Sequence, residues 1–193
     1  MSKNSSLIDR VGRLFRRGTG LPTHAEKQEV LRHYARQHGL KVLVESGTCH
    51  GDMVEAMRNE FTRVFSVELS PEFHAGAARR FAGVPHIEII LGDSATALSG
   101  ILERVKEPIL FWLDGHYSGG NTARGANDTP VFEELTQIYR SGEKRHVVLI
   151  DDARLFGTDP AYPTLTDLEA FARKLNPGVK MEVAGDAIRL TTG

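Results

Sequence analysis

Acidic and glycine residues recur at the ends of short apolar runs in this chain, and their order carries the chemistry. The first run leads into Glu45-Ser46-Gly47-Thr48-Cys49-His50-Gly51; later ones end on Glu68, on Gly92-Asp93-Ser94, on Asp114-Gly115-His116 and on Asp151-Asp152. Gly47 permits a sharp turn, and Gly51 lets the backbone approach a ligand or a neighbouring strand closely. Glu68 follows that loop by about 20 residues, the separation at which a carboxylate accepts hydrogen bonds from ribose hydroxyls. Glycine loop and carboxylate together point to a nucleoside-containing cofactor. Neither G-x-G-x-x-G nor G-x-x-x-x-G-K-[ST] is present, which disfavours a nicotinamide dinucleotide and an NTPase. His116 has the ordinary titration range of a general base, and a structural role in turning the loop fits it equally. Cys49 and His50 are expected to matter through their backbone amides, with the Cys49 thiol packing.

These residues need elements to hold them. Apolar runs at 41–45, 63–68, 86–91, 109–114 and 146–151 alternate with stretches of helical spacing at 53–59, 72–81, 95–104 and 131–139. An earlier helix is expected over 26–37, capped by Thr23 and stopped by His38-Gly39. The chain closes with a helix over 166–174 and two strand-like runs, 180–184 and 187–192, joined by a tight turn at Gly185-Asp186. Near-continuous apolar strands separated by helices predict a parallel sheet covered on both faces. The expected fold is α/β: a Rossmann-like, doubly wound sheet, mostly parallel, with a carboxy-terminal antiparallel hairpin and helices on both faces. In such a sheet the ligand lies beyond the carboxyl ends of the strands, where strand order reverses. Trp112, inside the fourth run, reads as core.

The 193 residues suit one domain, expected over 23–193, preceded by a basic segment over 1–22. Lys3, Arg10, Arg13, Arg16 and Arg17 oppose only Asp9 there, while the whole chain carries 24 basic and 25 acidic side chains. That balance gives no electrostatic case for nucleic acid. The basic segment reads either as a frayed terminus or as an amphipathic helix for an anionic surface or a partner. The single cysteine excludes an internal disulfide and a multi-cysteine zinc site, and no apolar run is long enough to span a bilayer. A soluble, cytoplasmic protein is expected.

Glu45-Ser46-Gly47-Thr48-Cys49-His50-Gly51 resembles the first motif of class I S-adenosylmethionine-dependent methyltransferases, Val67-Glu68 their ribose-binding strand end, and Gly92-Asp93-Ser94 their adenine-contacting motif. The resemblance covers about residues 40–192. It implies that the closing hairpin inserts its last strand antiparallel between two neighbours. It also implies a cofactor site built from Glu45, Gly47, Thr48, Gly51, Glu68, Asp93, Ser94 and Asp114. Leu113-Asp114-Gly115-His116 and Leu149-Ile150-Asp151-Asp152 are similar to the metal-dependent small-molecule O-methyltransferases of the macrocin O-methyltransferase type. In that strand order Asp114, Asp151 and Asp152 would converge, and a divalent cation would relieve their repulsion; oxygen ligands favour Mg²⁺, Mn²⁺ or Ca²⁺. Ordinary pocket-lining and capping roles are the alternative for the three aspartates.

The resulting expectation is an S-adenosylmethionine-dependent methyltransferase acting on a hydroxyl of a small molecule, a sugar or a phenol. Asp114 and His116 are its candidate catalytic residues. The long polar loop over 117–129 is read as a substrate lid, with Tyr117 and Arg124 as substrate contacts, and Phe156 and Tyr162 as a further wall. A homodimer or other partner could supply missing pocket walls. Two other classes stay open: a metal-free N-methyltransferase, and a non-catalytic S-adenosylmethionine-binding protein.

Overall fold

The computed structural model describes residues 20–115 and 129–192. Element order begins with α1 (His24–His38), β1 (Val42–Ser46), α2 (Asp52–Met57), β2 (Arg63–Glu68), α3 (Pro71–Arg80) and β3 (Ile87–Leu91). It continues with α4 (Ser94–Arg104), β4 (Ile109–Leu113), α5 (Val131–Arg140), β5 (Val147–Ile150), α6 (Leu165–Leu175), β6 (Val179–Ala184) and β7 (Ala187–Thr192). Each expected helix and strand in the described residues is present, with ends displaced by a residue or two.

Local chemistry explains the elements. Thr23 accepts the Glu26 amide while Glu26 accepts the Thr23 amide, a reciprocal cap that opens α1, and Gly39 at φ 64° closes it. Ser70, Asp93 and Thr164 cap α3, α4 and α6 with their side chains. Every residue of β1, β4 and β5 is buried. Apolar side chains on both faces of a strand need a layer of helix on each side, and two apolar clusters supply it. α1 and α2 pack over Leu43, Leu110, Trp112 and Leu149; α4, α5 and α6 pack over Val44, Phe111, Val148 and Leu190. Each fully buried Val, Leu, Ile or Phe contributes about 1.5–3 kcal/mol.

The seven strands run in the order β3-β2-β1-β4-β5-β7-β6. All neighbours from β3 to β5 are parallel, whereas β7 lies antiparallel to both β5 and β6. Gly185 and Asp186, at φ 57° and 58°, form the two-residue turn between them. Strand order reverses between β1 and β4. Ser46 pairs with Leu113 there, so the Gly47–Gly51 loop and Asp114 leave the sheet side by side. The aspartates stand immediately past the strands rather than in them, since β4 ends at Leu113 and β5 at Ile150.

Candidate active site

The loop after β1 is built from left-handed backbone. Gly47, Cys49 and Gly51 have φ of 86°, 50° and 79°. A Cβ on Gly47 would lie 2.4 Å from the Asp114 carbonyl oxygen, and one on Gly51 would lie 2.6 Å from the Phe81 ring. Both glycines are therefore required sterically as well as conformationally. Cys49 takes the same backbone region with a side chain, which sequence pattern did not flag.

Glu68 locks this loop to the end of β2. Its Oε2 accepts the Cys49 amide at 2.7 Å, and its Oε1 accepts the Ser70 amide at 2.8 Å. Each carboxylate oxygen keeps capacity for a further donor, as a ribose diol would need. The Arg80 guanidinium, 2.7 Å from both the His50 carbonyl and Asp52, pins the far side of the loop.

Glu45 and Thr48 are buried and both bonded to Ser66 of β2. The Ser66 hydroxyl donates to Glu45 Oε2 at 2.5 Å and shares a 2.6 Å hydrogen bond with the Thr48 hydroxyl. Burial raises the Glu45 carboxyl to about 8; the charges of Asp114 and Glu68 push the same way, against the Ser66 hydrogen bond. Ser46 Oγ is buried with no hydrogen-bond partner, next to Gly115. Beyond β3, the Asp93 carboxylate accepts the Ala95 amide at 2.9 Å and Ser94 is buried in the first turn of α4.

Asp151 and Asp152 are paired with cations of the chain itself. Lys27 Nζ, from the first turn of α1, donates to Asp151 Oδ2. The Lys27 side chain is 21% exposed and that of Asp151 only 2%. Burial lowers the Lys27 pKa, but the hydrogen bond to Asp151 and the charges of Asp151, Asp114 and Asp152 outweigh it, so the ammonium titrates above its usual range. Burial raises the Asp151 carboxyl against the pull of Lys27. Asp152, at φ 57°, pairs with Arg154 at 2.6 Å, and Arg154 also pairs with Asp186. Among the described residues, no group of three His, Cys, Asp or Glu side chains is placed to hold a metal ion. Lys27 and Arg154 thus hold two of the carboxylates expected to bind a divalent cation. Neither Lys27 nor Arg154 carries a signal that sequence reading could have connected to Asp151-Asp152.

Phe156 and Tyr162 meet edge to face, with ring centroids 5.3 Å apart, and both join the apolar core. The charges of Asp152, Asp159 and Asp114 act on the Tyr162 hydroxyl, whose pKa is pushed up chiefly by burial. A cavity of about 600 Å³ lies nearby, lined by Leu21, Pro22, Thr23, Ala153, Arg154 and Asp186. Its described lining includes neither the Gly47–Gly51 residues nor Asp114, Asp151 or Asp152; it lies where the start of α1 meets the Gly185-Asp186 turn. His116, Tyr117 and Arg124 lie outside the described residues, as do the basic positions of the amino-terminal segment up to Arg17. Trp112 is core, as its strand position implied. No described helix is long and apolar enough to cross a membrane.

At the level of sequence, no family profile and no curated protein matches the chain. Solved structures do. A methyltransferase from Podospora anserina bound to S-adenosylhomocysteine superposes with a TM-score of 0.61 at 16% identity, covering 100% of this chain and 98% of that one. An O-methyltransferase of tomaymycin synthesis from Streptomyces achromogenes, in complex with S-adenosylmethionine, gives 0.60 at 21% identity over 100% and 91% of the two chains. The O-methyltransferase from Bacillus cereus in complex with S-adenosylhomocysteine gives 0.64 at 14% identity over 100% and 93%. The chain thus has the Rossmann-like fold of these enzymes, down to the reversed final strand.

Proposed function

We propose that this protein transfers a methyl group from S-adenosylmethionine to a hydroxyl of a small molecule. The observation that carries the reading is the Glu68 carboxylate, buried at the end of β2 and clasped by the Cys49 and Ser70 amides, beside a glycine loop at the strand-order reversal. That is the place where an α/β sheet takes a nucleoside, and three solved structures of similar fold contain S-adenosylmethionine or its demethylated product.

In this reading Glu68 accepts the ribose hydroxyls, and the Gly47–Gly51 backbone closes around the amino-acid end of the cofactor. Asp93 and Ser94 stand where the adenine would lie. Bound there, the cofactor supplies a methyl group made electrophilic by its sulfonium. The protein's task is then mainly to align the acceptor oxygen in line with that methyl and to keep water out. Asp114, next to Gly47 across the reversal, takes the hydroxyl proton as the new C–O bond forms, with His116 as the second candidate base.

Calorimetric titration with S-adenosylhomocysteine tests the reading. Saturable one-to-one binding is expected, weakened about tenfold or more in Glu68→Gln, because hydrogen bonds to a charged carboxylate are worth about 1.5–3 kcal/mol. Absence of binding by a folded wild-type chain would overturn it. Transfer of labelled methyl to hydroxylated acceptors, lost in Asp114→Asn, then separates an enzyme from a protein that only holds the cofactor.

A further inference from the structure

The carboxylates beyond β4 and β5 present an electrostatic problem whose solution is visible in the fold. Leu113 pairs with Ile150, so Asp114 and Asp151 follow matched positions on neighbouring parallel strands, about 4.8 Å apart. The Asp151 amide also donates to the Leu113 carbonyl at 3.0 Å, which holds the two chain segments together where the acids begin. Asp152 comes next. Negative groups this close need a cation, and Arg154 does not reach Asp151: it is occupied by Asp152 and Asp186.

Lys27 reaches it from a helix on one face of the sheet. The ammonium bonds Asp151 Oδ2, and its charge acts on Asp114 and Asp152 as well. Its position on α1 works against it locally, since a cation in the first turn opposes the helix dipole. The carboxylates across the sheet end outweigh that cost. The other Asp151 oxygen, Oδ1, is buried and has no hydrogen-bond partner. Among the described residues, the cation bonded to Asp151 is thus Lys27, 124 positions away in sequence.

We infer that Lys27 is the resident cation of the site: its ammonium, held on Asp151, occupies the electrostatic place of a divalent metal and keeps one out. This rests on the same strand ends as the proposed methyl transfer, but its test uses neither cofactor nor acceptor, so either reading can fail alone.

The test is titration of the purified full chain with Mn²⁺, followed by electron paramagnetic resonance of the free ion. Wild type and Lys27→Arg, which retain the charge, should leave the free-ion signal unchanged at equal protein and metal concentrations. Lys27→Met removes the charge but keeps most of the stem, and should raise Mn²⁺ affinity about tenfold or more. Adding Asp151→Asn should abolish that gain. Lys27→Gln, which keeps a donor for Asp151, provides the same neutralisation should the Met variant fail to fold. Wild-type Mn²⁺ binding that Asp151→Asn releases would overturn the inference. So would a folded neutral variant whose Mn²⁺ affinity equals that of wild type.

Discussion

Gly47 leaves no room for a side chain. At φ 86°, with the Asp114 carbonyl 2.4 Å from where a Cβ would stand, alanine adds backbone strain to a backbone clash. Strained backbone of this kind costs about 1–3 kcal/mol before any clash is counted. Gly47→Ala should lower the free energy of unfolding by at least about 2 kcal/mol in denaturant titration. The loop would also be pushed off the strand end, so S-adenosylhomocysteine binding should fall with it. Cys49 marks the opposite case, a non-glycine residue that the fold holds in left-handed backbone through the Glu68 hydrogen bond. Cys49→Gly removes that conflict and should leave stability within about 1 kcal/mol of wild type, since the relief is offset by the greater freedom of glycine when unfolded.

At the scale of elements, α1 has two duties, covering the sheet and presenting Lys27. Its reciprocal cap is the feature to test. Thr23→Ala removes a side-chain acceptor from the first turn and should cost about 1 kcal/mol in thermal or chemical unfolding. Because Lys27 lies on that same turn, its amide exchange should quicken along with that of Glu26. The elements were largely legible in sequence, for physical reasons: β4 and β5 are unbroken apolar runs, and four of the six described α-helices start on a hydroxyl or carboxylate cap. The glycine loop and Glu68 were legible because steric need and ribose chemistry restrict residue type. The Lys27–Asp151 pair was not, because an ammonium on an amphipathic helix looks like any solvated lysine until the sheet is assembled. Thr48 and Asp93 were assigned to the cofactor from their motif positions. The structure adds local partners for both: Ser66 for the Thr48 hydroxyl and the Ala95 amide for the Asp93 carboxylate. Side-chain direction at a turn is set by neighbours that spacing does not reveal.

For the molecule as a whole, two buried titrating groups shape stability against pH. Folded, Glu45 holds its proton up to about pH 8; unfolded, it releases it near 4.5. Between those values the folded state binds the extra proton, so the Glu45 contribution declines as pH rises and is gone above 8. Glu45→Gln is neutral throughout. Its unfolding free energy relative to wild type should therefore climb across pH 4.5–8, by on the order of a few kcal/mol. His146 acts in the opposite sense. Its Nδ1 accepts the Ile109 amide at 3.1 Å, and burial pushes its pKa down from 6.5 to about 4. The unfolded chain binds the proton in that interval, so the His146 contribution rises with pH from about 4 to 6.5. Of these two groups, only the Glu45 slope remains above pH 6.5.

The position of β7 has a consequence for how the chain acquires its shape. Among the described strands, β6 pairs in the sheet only with β7, and β7 pairs with the outer edge of β5. The sixth strand can therefore join the sheet only with or after the seventh, although the seventh leaves the ribosome later. Until β7 docks, Val147-Val148-Leu149-Ile150 presents an open, wholly apolar edge, the kind of surface that pairs with other chains and recruits chaperones. The interval between synthesis of β5 and closure of the Gly185-Asp186 turn is thus the moment of greatest exposure to aggregation.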